Sequence, residues 1–499
     1  MSTLIIPAAG LATRLRPLSN NSSKCMVPVN GKPIISYILD RVGTLFSQIV
    51  VVYGKSDDTV RFCRNKYSHL NIEFVHQETA EGPLHAVYCA MESLNLDSSP
   101  LTIWLGDTIV TDYVPSGKTE MVVHEVPDWS RWCMMSRDGE LFDKPEDQPP
   151  TNLALVGIYT FDDSSKAKSI TSEIIFSKVK VRGEYQLSQL ISAYGDSNVV
   201  ETKEWFDCGD LPSLYESSSR LLKKFACRPD SSVDIDLVAC TFKKTGDRCR
   251  NESFWYKNIP ARVKPFVPAI YETSETSYTM ELLNGTTVAD MLLFEDLTKD
   301  NIQFIIRRCL DSYRTAFLKD IAKTSINILD EMLFLKNMYR VYEYDRERTL
   351  DYATYASTIV NKYHGKQVSA VDFCHGDFHL GNIMFSPENG RVKFIDPRGK
   401  WGKIQTTYGY IEYDLIKFAQ SLHGEYVWVY AGVPTNEYVK KHALDTFSEW
   451  CIENEFDLQF ILEMVPILMG SVLEFHTESP TRQDRIWQKT LELIDDAKR

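Results

Sequence analysis

Long hydrophobic runs are missing from this chain. The longest apolar stretches, such as Ile49 to Tyr53, are strand-sized and far short of the ~20 residues of a membrane-crossing helix. The first residues, Met1 to Gly10, have no basic segment and no apolar run behind one, so no secretory leader is expected. Positive charge is also in short supply. Lys and Arg number 55 against 68 Asp and Glu, a net charge of −13, which excludes wholesale attraction to nucleic acid or to an anionic membrane. Cysteine is scattered: the 11 residues are odd in number and form no CxxC pair, which excludes a disulfide framework and a zinc site and points to a reducing compartment. There is no repeat at a fixed period and no low-complexity tract. What is left is a water-soluble, cytoplasmic chain of 499 residues, long enough for two to four domains at roughly 100–200 residues each.

From Leu4 to about Leu222 short β-rich runs alternate with helical patterns. The strands Leu4 to Ile6, Ile49 to Tyr53, Ile72 to His76 and Leu101 to Leu105 are separated by helices over Ile34 to Val42, Asp58 to Lys66 and His85 to Leu94. This alternation predicts an α/β fold with a mainly parallel, Rossmann-like sheet, whose ligands sit beyond the carboxyl ends of the strands. The pattern breaks in the polar stretch Lys223 to Ser232, which divides the chain into domains over 1–225 and 226–499. Beyond the break come two or three strands up to Leu283, then helical patterns over Asp300 to Phe317, Ile326 to Tyr344 and from Tyr438 onward. That order of elements predicts an α+β second domain.

The loop after the first strand holds Ala8, Ala9 and Gly10, followed by Arg14, Arg16 and Lys24. Small residues let backbone approach a phosphate, and a cation cluster suits charge growing on phosphoryl oxygens; a tight turn with solvated cations is the plainer alternative. Asp107 closes the strand ending in Trp104-Leu105-Gly106, and Asp207 follows Trp205-Phe206. Carboxylates at strand ends are good Mg²⁺ ligands, although each alone also reads as a loop cap.

These residues resemble the sugar-phosphate nucleotidylyltransferases, the group of glucose-1-phosphate thymidylyl- and uridylyltransferases. The resemblance rests on Ala9-Gly10-Leu-Ala-Thr-Arg14-Leu-Arg-Pro17 with Lys24, on Gly106-Asp107, on Trp205 to Gly209, and on Asp143-Lys144-Pro145 with Asn152 to Tyr159. It implies that Ala9 and Gly10 cradle the nucleotide, that Arg14 and Lys24 hold the triphosphate and the attacking phosphate, and that Lys144 binds the phosphate on the sugar side. It further implies Mg²⁺ on Asp107 and Asp207, base reading by Gln77 and Gly82, and Asp143 and Tyr159 among the acceptor contacts. A pyrimidine NTP (CTP, UTP or dTTP) is the expected donor and pyrophosphate the leaving group. Ala12 stands where the family usually has Gly, Asp143 replaces the usual Glu, and Asp128-Trp-Ser-Arg-Trp132 replaces a Tyr-Gly segment. The last two changes fall on the acceptor side.

A second constellation stands near the other end: His375-Gly-Asp377-Phe-His379-Leu-Gly-Asn382, then Asp396-Pro-Arg398. Phosphoryl transfer uses a carboxylate to accept the hydroxyl proton, an amide oxygen on metal and a second carboxylate on Mg²⁺, and this spacing supplies all three. Residues 226–499 resemble the aminoglycoside phosphotransferase and choline kinase superfamily, protein-kinase-like enzymes that act on small molecules. The resemblance implies Asp377 as catalytic base, Asn382 and Asp396 as Mg²⁺ ligands, and an ATP-side pair of Lys243 (with Lys244 as the alternative) and Glu252. The adenine hinge would run over Glu281 to Leu283. No glycine occurs between Asp230 and Ala239, where the family's glycine-rich loop belongs. Arg398 and Lys400 follow the metal aspartate where choline kinases are acidic, which favours a neutral polyhydroxyl or an anionic acceptor over a quaternary ammonium. The aromatics from Tyr408 to Tyr430 read as packing or as a cation cage, and Asp414 reads as a brace for the catalytic loop.

The combined expectation is a bifunctional chain. The second domain phosphorylates a hydroxylated small molecule with ATP, and the first couples the phosphate product to an NTP for glycan or envelope synthesis. Choline or another non-sugar alcohol as acceptor, and a non-catalytic kinase-like module, are the alternatives.

Overall fold

Leu4, Ile5 and Ile6 are apolar without alternation, the pattern of a strand covered on both faces. In the computed structural model they form β1 (Thr3–Pro7) at the centre of a nine-stranded sheet, with all three side chains fully buried. The structure describes residues 2–497 apart from 11, 17, 20–21, 144, 196, 227–231, 237, 248, 284–285, 326–340, 343, 346, 388, 403 and 478, and of residues 222–226 the backbone alone. Two compact units emerge, Met1–Leu222 and Lys223–Arg499.

In the first unit β1 pairs in parallel with β2 (Gln48–Tyr53), and β2 in parallel with β3 (Ile72–His76). On its other side β1 pairs in parallel with β4 (Leu101–Trp104). The connections carry α1 (Ile34–Val42), α2 (Asp58–Lys66) and α3 (Pro83–Ser93), each amphipathic at helical spacing. Past β4 the sheet becomes mixed, mainly antiparallel, with Asn198–Glu201 parallel to the strand Glu120–Glu125. After β5 (Thr108–Val110) and β6 (Glu120–Glu125), β7 (Leu153–Phe161) runs antiparallel to both β4 and β6. Its register shifts between Leu155 and Tyr159, where Gly157 takes a φ of 93°; a Cβ there would lie 2.8 Å from Leu105 Cδ1. Such a bulge bends a strand beside a site, and here it lies against the segment leading to Asp107. Finally β8 (Trp205–Asp207) pairs antiparallel with β5, Asp207 opposite Thr108.

In the second unit β9 (Ser232–Asp236), β10 (Thr241–Thr245), β11 (Ile270–Thr273) and β12 (Ser277–Glu281) form an antiparallel sheet of order β9-β10-β12-β11. One helix, α4 (Cys249–Lys257), connects β10 to β11. A largely helical portion follows, with α5 (Lys299–Phe317), the hairpin of β13 (Ile383–Ser386) and β14 (Arg391–Phe394), α6 (Ile411–Leu422) and α7 (Glu437–Glu453). Its core is aromatic: the Tyr313 and Phe378 rings stack at 4.2 Å and Phe418 stacks on Phe447 at 5.3 Å. The helix expected over 326–344 falls almost wholly outside the described residues. Among the described residues no helix is long and apolar enough to cross a membrane.

Candidate functional sites

In the first unit the carboxyl ends of β1, β4 and β8 bring the charged residues together. The loop leaving β1 is fixed by its own backbone. Ala12 sits in the left-handed region (φ 48°, ψ 37°), and its carbonyl accepts from Leu15 N–H (3.0 Å) and Ser19 Oγ (2.7 Å). That conformation explains the glycine usual at this position, since a Cβ there costs about 1 kcal/mol. Ala12→Gly is therefore expected to leave the protein equally stable or up to about 1 kcal/mol more stable, the reverse of the ordinary Ala→Gly loss; denaturant unfolding checks it. Among the described residues, chain neighbours aside, a Cβ at Gly10 would meet no atom within 4 Å, so packing against them does not demand a glycine there. Ala9 is half-buried, with its backbone in close approach to Gly54.

Lys24 Nζ forms an ion pair with Asp107 Oδ2, the two side chains 17% and 22% exposed. Asp107 and Asp207 stand side by side because β5 and β8 pair at that point; the Asp107 carbonyl also accepts from Cys208 N–H at 3.0 Å. Asp207 Oδ1 accepts from Gly209 N–H at 3.0 Å. Its Oδ2 is enclosed with no hydrogen-bond partner among the described residues. Burial, and after it the neighbouring Asp107 carboxylate, push Asp207 above its ordinary pKa. Two adjacent carboxylates, one with an orphaned oxygen, are a donor set for a hard divalent cation. Among the described residues no group of three or more His, Cys, Asp or Glu forms a metal cage, so other oxygens would have to complete the shell.

Arg14 is exposed at the mouth of the loop. Arg131 pairs with Asp210 and lies over Trp132, whose ring meets Trp205 at 4.8 Å. The unusual Asp128 to Trp132 segment thus packs against the strand that carries Asp207. Gln77 is buried, and its Nε2 donates to His85 Nδ1 at 2.9 Å, which leaves one N–H and the carbonyl of the amide for a base. Gly82 has a φ of 113°, and a Cβ would lie 2.5 Å from the Tyr185 carbonyl oxygen, so only glycine fits there. On the acceptor side Asp143 accepts from Ser188 Oγ at 2.8 Å. Tyr159 is buried in the core; burial first, then the Cys133 thiol and the Asp107 and Asp143 carboxylates, hold its hydroxyl protonated. Its ring is thus part of the wall behind the carboxylates, not an exposed acceptor contact. Lys144 lies outside the described residues.

In the second unit strand alternation separates the two adjacent lysines. Lys243, the expected ATP-side lysine, is exposed. Lys244, on the opposite face of β10 because successive strand residues alternate, places Nζ 2.8 Å from Glu252 Oε2 and 3.2 Å from Asp396 Oδ1. Glu252 also accepts from Tyr278 Oη at 2.7 Å. Along the expected hinge, Glu281 N–H donates to the Ala269 carbonyl (2.8 Å) and Leu282 N–H to the Cys240 carbonyl (2.9 Å), so neither donor faces a base; Leu283 is half-buried just past the strand. The glycine-free turn before β10 is closed by Asp236, whose Oδ1 accepts from Val238 and Ala239 N–H, both at 2.9 Å.

The residues around Asp377 converge. Asn382 Nδ2 donates to the Asp377 carbonyl (3.0 Å) and to Asp377 Oδ2 (3.3 Å), leaving its amide oxygen as an acceptor. Asp396 takes a left-handed φ of 50°. Lys417 Nζ lies 3.2 Å from Asp377 Oδ1. Burial alone would raise the Asp377 carboxyl, but Lys417 and then His379, His375 and Arg398 hold it well below the usual carboxylate range. His375 is buried, its Nε2 3.0 Å from the Ile395 carbonyl. Asp414 accepts from His375 N–H (3.2 Å) and Tyr313 Oη (2.8 Å), bracing the loop from α6. Arg398 Nη1 donates to Tyr413 Oη at 2.7 Å, with the guanidinium 5.3 Å from that ring.

The nucleotidyl transferase family profile matches residues 3–224. Over 203 residues, 38% of this chain and 81% of the other, the chain is 30% identical to the UTP–glucose-1-phosphate uridylyltransferase AglF of Haloferax volcanii. The chain belongs to the nucleotidyl transferase family. It is also 32% identical over 247 residues to the bifunctional protein GlmU of Methanocaldococcus jannaschii (47% of this chain, 58% of that one). Identity to a Streptomyces griseus glucose-1-phosphate thymidylyltransferase is 25% over 275 residues (50% and 75%). Among solved structures, a UDP-glucose pyrophosphorylase complexed with UDP-glucose aligns with a TM-score of 0.40 at 20% identity, covering 45% of this chain and 99% of that one.

One residue of this nucleotidyl transferase that no motif signals is Asp58. Its carboxylate accepts from Ser22 Oγ (2.7 Å), Ser23 N–H (2.9 Å), Ser23 Oγ (2.6 Å) and Thr59 N–H (2.8 Å), pinning the turn that presents Lys24. Burial would raise its pKa, yet the Ser23 and Ser22 hydrogen bonds hold it below the ordinary value. The stabilisation is therefore present above the unfolded carboxylate pKa of about 4 and lost as pH falls through the lower folded value. Asp58→Ala is expected to cost about 2 kcal/mol at neutral pH and to reduce pyrophosphate release about tenfold by loosening Lys24. Unfolding at pH 7 and at pH 3 checks the first, since the deficit should shrink at the lower pH.

Proposed function

We propose that the first unit transfers a nucleotidyl group from a pyrimidine NTP to a sugar phosphate. A phosphate oxygen of the sugar phosphate attacks the α-phosphorus in line, and the bond to pyrophosphate breaks. No covalent intermediate is needed, because positioning and charge neutralisation suffice. Lys24 and Arg14 bind and orient the phosphates, the Ala9–Gly10 backbone lets them approach closely, and Gln77 and the Gly82 turn border the base. Asp143 and Lys144 belong to the acceptor side. Asp107 and Asp207 would hold Mg²⁺, which when bound neutralises charge on the phosphate oxygens. The observation that carries the reading is the Lys24–Asp107 pair beside the unpartnered Asp207 oxygen. The test is pyrophosphate release from each of CTP, UTP, dTTP, GTP and ATP with a panel of hexose 1-phosphates. A pyrimidine nucleotide is expected to give the highest kcat/KM, since a purine would leave buried polar groups unpaired; highest kcat/KM with GTP overturns the base assignment.

The second unit is proposed to make the phosphate that the first consumes. Lys244, in its pair with Glu252, would orient the phosphates of ATP. Asp377 would accept the proton of the acceptor hydroxyl, and the Asn382 amide oxygen and Asp396 would hold Mg²⁺. Arg398, fixed by Tyr413, favours a polyhydroxyl or anionic acceptor over choline. One observation favours a different reading, a kinase-like module that binds without catalysis: the N–H groups of the Val238–Ala239 turn are taken up by Asp236 and cannot cradle phosphates. ADP formation from ATP with free hexoses and polyols separates the two.

A further inference from the structure

Lys417 is absent from every motif, yet it makes the closest ionic contact of the proposed base. Its Nζ lies 3.2 Å from Asp377 Oδ1, and its side chain is only 12% exposed. The helix that carries it cannot easily withdraw. Asp414, one turn earlier on α6, is buried and accepts the His375 N–H (3.2 Å) and the Tyr313 hydroxyl (2.8 Å), which clamps α6 to the loop bearing Asp377. The two oxygens of Asp377 are thereby distinguished. Oδ2 accepts from Asn382 Nδ2 at 3.3 Å and faces His379 Nε2 at 3.8 Å, whereas Oδ1 faces the lysine.

A carboxylate that takes a hydroxyl proton during phosphoryl transfer has the attacking oxygen, and so the group in flight, within a few ångströms. A buried ammonium 3.2 Å from that carboxylate is then within reach of the same group. The phosphoryl oxygens carry more negative charge than one carboxylate, and an ammonium at low dielectric follows the larger charge. We propose that Lys417 is a further catalytic residue of the second unit, exchanging its Asp377 partner for the phosphoryl group in transit. This rests on the kinase reading above. In the step, the acceptor oxygen forms its bond to the γ-phosphorus and the bond from that phosphorus to the β-phosphate oxygen breaks. ADP leaves with that electron pair, and the hydroxyl proton passes to Asp377. Lys417 keeps its protons throughout and stabilises the equatorial oxygens.

The experiment uses the full chain and needs no acceptor. Affinity is measured for ADP with Mg²⁺, and for ADP with Mg²⁺ and aluminium fluoride, whose planar anion stands in for the phosphoryl group in flight. Lys417→Met is expected to bind ADP within about threefold of wild type, and to lose about a hundredfold in the fluoride-dependent affinity, the usual cost of one preorganised charge. Retained ADP binding also reports that the unit is folded. Should the methionine variant lose ADP as well, Lys417→Gln, which can still hydrogen-bond Asp377, is the deciding variant and is expected to show the same selective loss. Fluoride-dependent affinity at the wild-type level in a variant that binds ADP overturns the role of Lys417 and leaves the kinase reading standing. A wild-type chain that binds neither ATP nor ADP overturns the kinase reading, and this inference with it.

Discussion

Asparagine in place of Asp107 is expected to reduce pyrophosphate release by about a thousandfold or more, the several kcal/mol that a metal-ligating carboxylate supplies to a charged transition state. The substitution keeps the shape and removes the charge. Lys24 then loses its ion-pair partner, and the enclosed Oδ2 of Asp207 is left as the sole anionic donor of the pair. Lys24→Ala is expected to act on the same event from the other side. Because the two side chains pair directly, the double variant should lose little beyond the worse single one. A coupled pyrophosphate assay on the full chain, with thermal unfolding as control, checks this. Single variants within tenfold of wild type would detach Asp107 and Lys24 from the chemistry.

The second large effect belongs to the other unit. Asp377→Asn is expected to reduce ATP-dependent phosphorylation by about 10²–10⁴, the usual loss on removing a general base. An amide cannot take the hydroxyl proton, and Lys417 at 3.2 Å would lose its counter-charge. The same protein should release pyrophosphate at the wild-type rate when given a sugar phosphate, since Asp107, Asp207 and Lys24 belong to a separately compact unit. Loss of both activities together would point to unfolding, which circular dichroism separates from a catalytic loss.

The parallel half of the first sheet was legible because buried strands such as β1 and β2 are short unbroken apolar runs, and the connecting helices have helical spacing. Asp107 drew notice as the residue just past a buried strand and Asp207 as the last residue of another, and the β5–β8 pairing that sets them side by side had no local signal. The antiparallel return through β7 was not, since nine consecutively buried residues look alike in either direction. In β10 two adjacent lysines fix the presence of an inward cation and not its phase; only the pairing of Lys244 with Glu252 and Asp396 resolves it. Tyr159 sat in a matching motif, but its burial makes it part of the wall. Asp58 and Lys417 act across 34 and 40 residues of sequence, distances at which no local pattern operates. Lys417 alone left a signal, its one-turn spacing from Asp414 on one helix face, which a brace at Asp414 would have directed toward the Asp377 segment.

The claim that joins the two units is that one makes the substrate of the other. The direct measurement is mass spectrometry of a single reaction containing the full chain, Mg²⁺, ATP, a pyrimidine NTP and a panel of free hexoses and polyols. The account predicts a nucleoside diphosphate conjugate of one panel member in wild type, and its absence in Asp377→Asn until the corresponding phosphate is added. A phosphorylated product that accumulates in wild type and is accepted with none of CTP, UTP, dTTP, GTP or ATP would contradict it.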